Sequence, residues 1–161
     1  LMLFDVDGVL TDGTLYLGEN GEIMKAFNAL DGHGMKMLAD SGVEIGILSS
    51  RQSAIVTRRA SELGIKLVIQ GAANKADEFS SLLTQRRLLP AQVGYMGDDV
   101  LDLAVLLRCG FAASVPQAPE SVKSRVHFLP QSAGGRGAVR EVCEFILRAQ
   151  NTFDAAMKLY L

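Results

Sequence analysis

The chain has 161 residues, of which 48% are hydrophobic and 21% are charged, and its formal net charge is −2. This length fits one domain with a large buried core, and the composition excludes a disordered tail, a collagen-like repeat and a coiled coil. Because the 16 basic and 18 acidic residues nearly balance, the charge pattern predicts neither nucleic acid nor a membrane as a partner. Without a basic segment before an apolar run, we expect no signal peptide and a cytoplasmic location.

In chain order, short apolar runs alternate with helical patterns. Strands are predicted over 1–6, 43–48, 65–69, 93–96 and 111–115, with an edge strand over 126–129. Helices are predicted over 31–41, 52–63, 75–88, 100–108, 118–124 and 137–149, and Asn20-Gly21 predicts a hairpin between residues 15–17 and 23–27. Strand–helix alternation with short links predicts a three-layer α/β/α sandwich around a mostly parallel sheet.

We expect residues 1–161 to form a single domain, with a hairpin flap at about 13–28 and a Gly-rich segment and C-terminal helix at about 131–161. The two cysteines, Cys109 and Cys143, lie in apolar surroundings and are too few for a disulfide framework. Both are therefore predicted to be buried free thiols of a protein from a reducing compartment.

Carboxylates follow two of the predicted strands. Asp5 and Asp7 end the first strand, and their spacing points both side chains the same way. Asp98 and Asp99 end the fourth strand, and Asp102 follows one helical turn later. Taken separately, Asp7-Gly8 is as typical of a turn as of a functional site. Asp98-Asp99 is likewise as typical of a helix N-cap whose acids complement the helix dipole.

Ser49 follows the second strand and Lys75 opens the helix after the third. Each has a plain local interpretation, as an N-cap serine and a surface lysine. Because ligands bind at the carboxyl ends of parallel strands, the joint occurrence of these groups at four successive strand ends favours one shared site. Carboxylate oxygens suit Mg²⁺, and a carboxylate can attack phosphorus to form an aspartyl-phosphate. A lysine, a hydroxyl and Mg²⁺ would then neutralise the charge on the phosphoryl group, with Asp7 as the acid and base.

These motifs resemble those of the haloacid dehalogenase superfamily of phosphohydrolases. The first motif is Asp5-Val6-Asp7-Gly8-Val9-Leu10-Thr11-Asp12-Gly13, and the fourth is Gly97-Asp98-Asp99-Val100-Leu101-Asp102. The resemblance implies a Rossmann-like fold in which Asp5 is the nucleophile and a metal ligand. It also implies that Asp7 is the general acid/base and binds Mg²⁺ through its backbone carbonyl, and that Asp98 is the second metal carboxylate. In the same family pattern, Ser49 and Lys75 bind phosphate, and Asp99 and Asp102 hold metal waters or orient Lys75.

Nearly the whole chain is similar to a narrower family, the 3-deoxy-D-manno-octulosonate 8-phosphate phosphatases of lipopolysaccharide core synthesis. The resemblance is carried by the hairpin, by Asp31-Gly32-His33-Gly34, by Leu48-Ser49-Ser50-Arg51, by residues 71–75 and, most specifically, by residues 133–142. It implies a Mg²⁺-dependent phosphatase of a small sugar phosphate, with Arg51, His33, Asn74 and Arg136 as substrate-binding residues. The family usually has Thr-Gly-Arg where this chain has Ser49-Ser50-Arg51, which keeps the hydroxyl but crowds the pocket.

The spacing between the motifs leaves no room for a cap domain. About 23 residues separate the first motif from the first helix, a hairpin fills them, and one helix and one strand fill the segment from Lys75 to Gly97. A capless site is open to water and needs another lid. The resemblance implies a homotetramer in which a neighbouring subunit covers the site, and in which the segment around Arg136 reaches the pocket.

Three other functions remain open on the sequence. A signalling receiver domain shares the clustered acids, but its phosphoacceptor ends the third strand, where this chain has Gln70-Gly71. A non-catalytic tetramerisation domain of the same fold is disfavoured because Asp7 and the fourth motif are present. A phosphatase of a related sugar acid phosphate, such as a nine-carbon acid 9-phosphate, fits the same motifs.

Overall fold

The computed structural model describes residues 1–161 and contains a five-stranded parallel sheet. Its strands are β1 (Met2–Phe4), β4 (Ile45–Leu48), β5 (Leu67–Ile69), β6 (Gly94–Met96) and β7 (Phe111–Ala113). Across the sheet they lie in the order β5-β4-β1-β6-β7. A separate antiparallel hairpin consists of β2 (Tyr16–Gly18) and β3 (Gly21–Met24). The predicted mostly parallel sheet and the added hairpin are thus confirmed.

The helices are α1 (Ala29–Asp40), α2 (Ala54–Glu62), α3 (Lys75–Arg86), α4 (Leu103–Leu106), α5 (Glu120–Lys123), α6 (Ala138–Ala149) and α7 (Phe153–Met157). The chain first runs outward from β1 through β4 to β5, and then returns to β6 and β7. Right-handed crossovers therefore place α1 and α2 on one face of the sheet and α3 and α4 on the other. Because α6 packs against α1, it joins the first face, and the three predicted layers are confirmed.

The central strands β1, β4 and β6 are buried along their whole length. Their continuous apolar sequences are typical of parallel strands that helices cover on both faces, because neither face needs polar side chains. Both cysteines are buried and free, as predicted. No helix of the structure combines the length and apolarity that crossing a membrane requires.

The segment predicted as an edge strand over 126–129 does lie beside β7, but it is not a strand there, since only one parallel bridge, from Phe128 to Ala113, is present. The side chain of His127 explains the difference, because its Nδ1 accepts a hydrogen bond from the backbone N–H of Ala112 at 2.8 Å. A backbone carbonyl of a paired strand would otherwise accept that bond. The helix predicted over 100–108 also differs, because it starts with a 3₁₀ turn over Val100–Asp102 and is α-helical only from Leu103 to Leu106. The short α7 had no predicted counterpart.

Candidate active site

The loop after β1 brings the backbone close to the end of β6. Asp5 follows β1 directly, and its N–H donates to the carbonyl of Met96 at 2.9 Å. Gly8 has φ +93°, and a Cβ at this residue would lie 2.1 Å from Oδ2 of Asp98. A side chain there is excluded both by the left-handed backbone and by the carboxylate of Asp98. Gly8 therefore permits the two strand ends to meet.

Three carboxylates are gathered at this meeting point. One oxygen from each of Asp5, Asp98 and Asp102 lies within 4.8 Å of the others. Burial raises the pKa of Asp5 to about 6, an effect that the positive charge of Lys75 opposes. Burial, together with the negative charges of Asp5 and Asp102, raises the pKa of Asp98 to about 7. The cluster therefore holds more negative charge than its lysine neutralises, and a divalent cation fits it.

Lys75 is buried beside this cluster at the first position of α3. Its Nζ lies 2.9 Å from Oδ2 of Asp5, 2.6 Å from Oδ1 of Asp102 and 3.1 Å from the hydroxyl of Tyr95. Burial disfavours the ammonium, but the charges of Asp5 and Asp102 outweigh burial and raise the pKa of Lys75. Lys75 is thus a positively charged group held next to Asp5, the carboxylate predicted to be the nucleophile.

Asp102 accepts hydrogen bonds on both of its oxygens. Oδ1 receives Lys75 Nζ and the hydroxyl of Tyr95, while Oδ2 receives the backbone N–H groups of Asp98 at 2.9 Å and Asp99 at 3.0 Å. These four donors leave it little capacity to bind a metal directly. The arrangement instead agrees with the second predicted role of Asp102, which is to orient Lys75.

Ser49 and Arg51 lie on the opposite side of the same cavity, after β4. The cavity has a volume of about 210 Å³, and Leu101 is its one apolar lining residue. The other lining residues are polar: Asp5, Asp7, Ser49, Ser50, Arg51, Lys75, Asp98, Asp99 and Asp102. Ser49 is buried at the strand end, where its Oγ accepts the N–H of Arg51 at 3.3 Å. A cavity of this kind suits a small, charged and hydrated ligand.

Asp7 is bound on both oxygens by cations. Lys25 Nζ pairs with Oδ1 of Asp7, and Arg51 Nε lies 3.4 Å from Oδ2. Lys25 also pairs with Glu22 at 2.8 Å, and Glu22 accepts a hydrogen bond from the hydroxyl of Ser53. The base of the hairpin is therefore attached to the candidate site by ion pairs.

The structure does not bring all the predicted substrate-binding residues to this cavity. Asn74 caps α3, accepting the N–H of Ala76 at 2.9 Å. His33 lies on α1, where it contacts Tyr160 at 3.0 Å and Arg140 at 3.2 Å. Of the four residues predicted to bind substrate, Arg51 alone lines the cavity within this chain.

Arg136, the fourth of these residues, is largely exposed and pairs with Asp12 at 3.3 Å. The Gly-rich segment that carries it is packed against the loop after β1. The N–H of Gly135 donates to the carbonyl of Val9 at 2.9 Å, and a Cβ on Gly134 would lie 1.8 Å from the carbonyl oxygen of Gly8. The segment thus supports the loop that carries Asp7, and glycine is required for this close approach.

Sequence reasoning missed Lys25 and Tyr95. Tyr95 lies on β6, where an apolar strand pattern gave no sign that its hydroxyl bonds Asp102 and Lys75. Lys25 directly follows β3, and on an exposed hairpin a lysine is normally solvated. The one available signal was a lysine and a glutamate three residues apart on the strand that returns toward the first motif.

Comparison with known proteins identifies close relatives, although no protein-family model matches the chain. The chain is 42% identical over 156 residues to the 3-deoxy-D-manno-octulosonate 8-phosphate phosphatase of Escherichia coli (strain K12), covering 97% of this chain and 83% of that protein. The corresponding phosphatase of Moraxella catarrhalis, solved with magnesium, phosphate and 3-deoxy-D-manno-octulosonate, has a TM-score of 0.96 at 40% identity, covering 99% of this chain and 92% of that one. The cobalt-bound phosphatase of Haemophilus influenzae has a TM-score of 0.91 at 41% identity, and the match covers 94% of this chain and 89% of that one.

Proposed function

Because the chain belongs to the family of 3-deoxy-D-manno-octulosonate 8-phosphate phosphatases, we propose that it hydrolyses 3-deoxy-D-manno-octulosonate 8-phosphate to the free sugar acid and phosphate. The observation that carries this proposal is the convergence of Asp5, Asp7, Lys75 and Asp98 on one polar cavity at the carboxyl edge of the sheet. It is a Mg²⁺-dependent phosphoric monoester hydrolase, and its place is in lipopolysaccharide core sugar synthesis.

In the first half of the reaction, a carboxylate oxygen of Asp5 attacks phosphorus and the bond from phosphorus to the sugar oxygen breaks. The electron pair goes to the sugar oxygen, which takes a proton from Asp7. In the second half, Asp7 takes a proton from a water that attacks phosphorus, and the bond between phosphorus and Asp5 breaks. Lys75 holds Asp5 by a 2.9 Å contact and places its positive charge beside the phosphoryl oxygens.

Mg²⁺ fits the donor set, because Asp5 and Asp98 are hard carboxylate ligands whose pKa values burial raises to about 6 and about 7. These two side chains and the backbone carbonyl of Asp7 would hold the ion. When bound, the ion supplies positive charge to the transferring phosphoryl group. Asp99 lines the same cavity and would bind the ion's waters, while Ser49 would donate its hydroxyl to the phosphate.

The substrate carboxylate requires a cation near the cavity, and two lining residues, Arg51 and Lys75, are cationic. Because Lys75 is already paired with Asp5 and Asp102, Arg51 is the cation left for the substrate carboxylate. A guanidinium group matches the planar geometry of a carboxylate. We assign Arg51 to the sugar acid within this chain. His33, Asn74 and Arg136 would contact substrate only at a site completed by a second subunit or after a change in their present contacts.

The assay is phosphate release from 3-deoxy-D-manno-octulosonate 8-phosphate and from a panel that includes a nine-carbon sugar acid 9-phosphate, with Mg²⁺ or with EDTA. We expect Mg²⁺-dependent release, fastest with the eight-carbon substrate. Asp5→Asn should be inactive, whereas the control Asp40→Asn, which disrupts only an exposed pair with Lys36, should retain activity. Preference for the nine-carbon substrate would overturn the proposed identity of the substrate. No phosphate release from any member of the panel would favour the non-catalytic tetramerisation domain.

We further propose that the protein is a single capless domain that works as a cytoplasmic homotetramer. Between β1 and α1 the fold inserts only the hairpin, so the cavity lacks a lid from its own chain. The hairpin exposes apolar side chains, with Leu17 62% and Ile23 67% exposed, and association would cover them. Light scattering should give the mass of a tetramer, and Ile23→Glu should lower it while Leu107→Glu, on another exposed surface, does not. A monomeric wild-type protein with full activity would contradict this assembly.

A further inference from the structure

The base of the hairpin presents a buried lysine to the carboxylate of Asp7. Only 1% of the side chain of Lys25 is exposed, compared with 18% for Asp7. Its Nζ pairs with Oδ1 of Asp7 and, at 2.8 Å, with Oε1 of Glu22. Removing an ammonium group from water costs several kcal/mol unless charged partners compensate it. A lysine on a hairpin is normally exposed, so its burial here points to a role in the site.

Lys25 belongs to a charge-balanced set of four residues. Arg51 lies 3.4 Å from Asp7 and 3.9 Å from Glu22, so each carboxylate faces both cations. Ser53, the N-cap of α2, donates its hydroxyl to the remaining oxygen of Glu22. Glu22 is thereby fixed from the α2 side, and Lys25 is fixed by Glu22. Lys25 is consequently held by a contact within the hairpin and, through Glu22, by α2.

The two oxygens of Asp7 have different surroundings. Oδ1 contacts Lys25, which does not line the cavity, whereas Oδ2 faces Arg51, which does. The contact of Oδ2 with Arg51 is long, at 3.4 Å, and 44% of the Arg51 side chain is exposed. Oδ2 is therefore the oxygen that a substrate in the cavity can reach.

We propose that Lys25 is a positioning residue for the general acid/base: it anchors Asp7 through Oδ1 so that Oδ2 faces the leaving oxygen of the substrate. The inference rests on the proposed phosphatase function and adds to it a role for the hairpin. In this chain without a cap domain, the hairpin orients the proton-transferring group. Lys25 does not touch the substrate and acts only through Asp7.

This role predicts a dependence on the leaving group. A sugar alkoxide is a poor leaving group and must receive the proton of Asp7 as the bond to phosphorus breaks, whereas 4-nitrophenolate leaves as a stable anion. Loss of Lys25 should therefore slow transfer of the phosphoryl group from a sugar to Asp5 far more than transfer from 4-nitrophenol. A merely structural role would slow both transfers alike.

The experiment compares wild-type protein with Lys25→Met, Lys25→Arg and the control Lys36→Met, which removes an exposed lysine paired with Asp40. Single-turnover transfer from the sugar phosphate is measured by rapid quench, and transfer from 4-nitrophenyl phosphate by the nitrophenolate burst, both at saturating Mg²⁺. For Lys25→Met we expect the sugar phosphate rate to fall about 10²-fold and the burst rate to change by less than about twofold. Lys25→Arg should recover most of the lost rate, and Lys36→Met should match wild type.

If Lys25→Met slows phosphoryl transfer from both esters equally, Lys25 is only a structural residue. If neither rate changes, Asp7 needs no anchor. Either result overturns the inference. If Lys25→Met does not fold, Glu22→Gln decides, because it removes the charged partner that holds Lys25. It should slow transfer from the sugar phosphate more than transfer from 4-nitrophenyl phosphate, and equal losses or unchanged rates would overturn the inference. The identity of the substrate is judged separately on the wild-type enzyme. If another sugar phosphate proves to be the substrate, the proposed function fails while the ratio test continues with that alkyl ester.

Discussion

The four hydrogen bonds to Asp102 make Asp102→Asn the most informative substitution in the site. The carboxylate accepts from Lys75, Tyr95 and two backbone N–H groups, and it is 1% exposed. An asparagine has the same shape but one acceptor oxygen, so its NH₂ group must face donors on one side. Whichever way the amide is turned, two buried donors lose their acceptor and Lys75 loses one of its two carboxylates.

The expected magnitude follows from these lost contacts. Removing one partner of a buried ion pair costs about 3–5 kcal/mol. The loss of negative charge beside Asp5 and Asp98 offsets part of this, because Asp102 contributes to raising their pKa values. We therefore expect the free energy of unfolding to fall by about 3 kcal/mol, which lowers the melting temperature of a chain of this size by about 6–12 °C.

The measurement is urea unfolding of the metal-free protein, with Tyr95→Phe as the matched variant. Tyr95→Phe keeps the buried ring and removes one donor to a charged acceptor, so it should cost less, about 1.5–3 kcal/mol. If Asp102→Asn unfolds within about 0.5 kcal/mol of wild type, like an ordinary surface substitution, the assignment of Asp102 as the anchor of Lys75 is refuted. If Asp102→Asn mainly weakens Mg²⁺ affinity at unchanged stability, Asp102 is instead a metal ligand.

Three further predictions concern the loop, the acid cluster and the thiols. Gly8→Ala should abolish phosphatase activity, because its Cβ would lie 2.1 Å from Oδ2 of Asp98; retained activity in the phosphate-release assay would contradict the packing. In the folded metal-free protein, Asp5 and Asp98 bind more protons than they do in the unfolded chain, because their pKa values are raised. Its stability should therefore fall as pH rises from about 4 to about 7, and saturating Mg²⁺ should remove most of the fall. Thermal unfolding at a series of pH values tests this, and a flat metal-free profile would contradict it. Burial raises the pKa of the Cys109 thiol to about 11 and also raises that of Cys143, so both should resist alkylation until the protein unfolds, as mass spectrometry can follow.

The sequence was most informative where a backbone rule decides the outcome. Alternating strands and helices imply a parallel sheet, and the carboxyl ends of adjacent strands must then meet. This places Asp5 beside Asp98, because β1 and β6 are neighbours with Phe4 opposite Met96. No knowledge of side-chain packing is needed for that juxtaposition. The same rule places Ser49, at the end of β4, on the other side of Asp5.

The sequence was least informative where a side chain replaces the backbone or crosses between elements. The edge strand over 126–129 failed because the imidazole of His127 accepts the N–H of Ala112. The helix predicted from residue 100 begins as a 3₁₀ turn, because Asp102 turns back to accept the N–H groups of Asp98 and Asp99. Such contacts depend on the tertiary position of one side chain, which residue periodicity does not encode.

The contacts of Lys25 and Tyr95 also depend on the tertiary position of one side chain. They show how residues outside the sequence motifs hold the motif residues in place. Tyr95 and Asp102 hold Lys75 on one side of the cavity, while Lys25, itself paired with Glu22, holds Asp7 from the hairpin side. Each group predicted to take part in the reaction is thus held by a charged or hydroxyl partner on a different element, which limits reorganisation when charge moves. A motif search finds the groups predicted to react, and the partners that hold them in place become visible only in the folded chain.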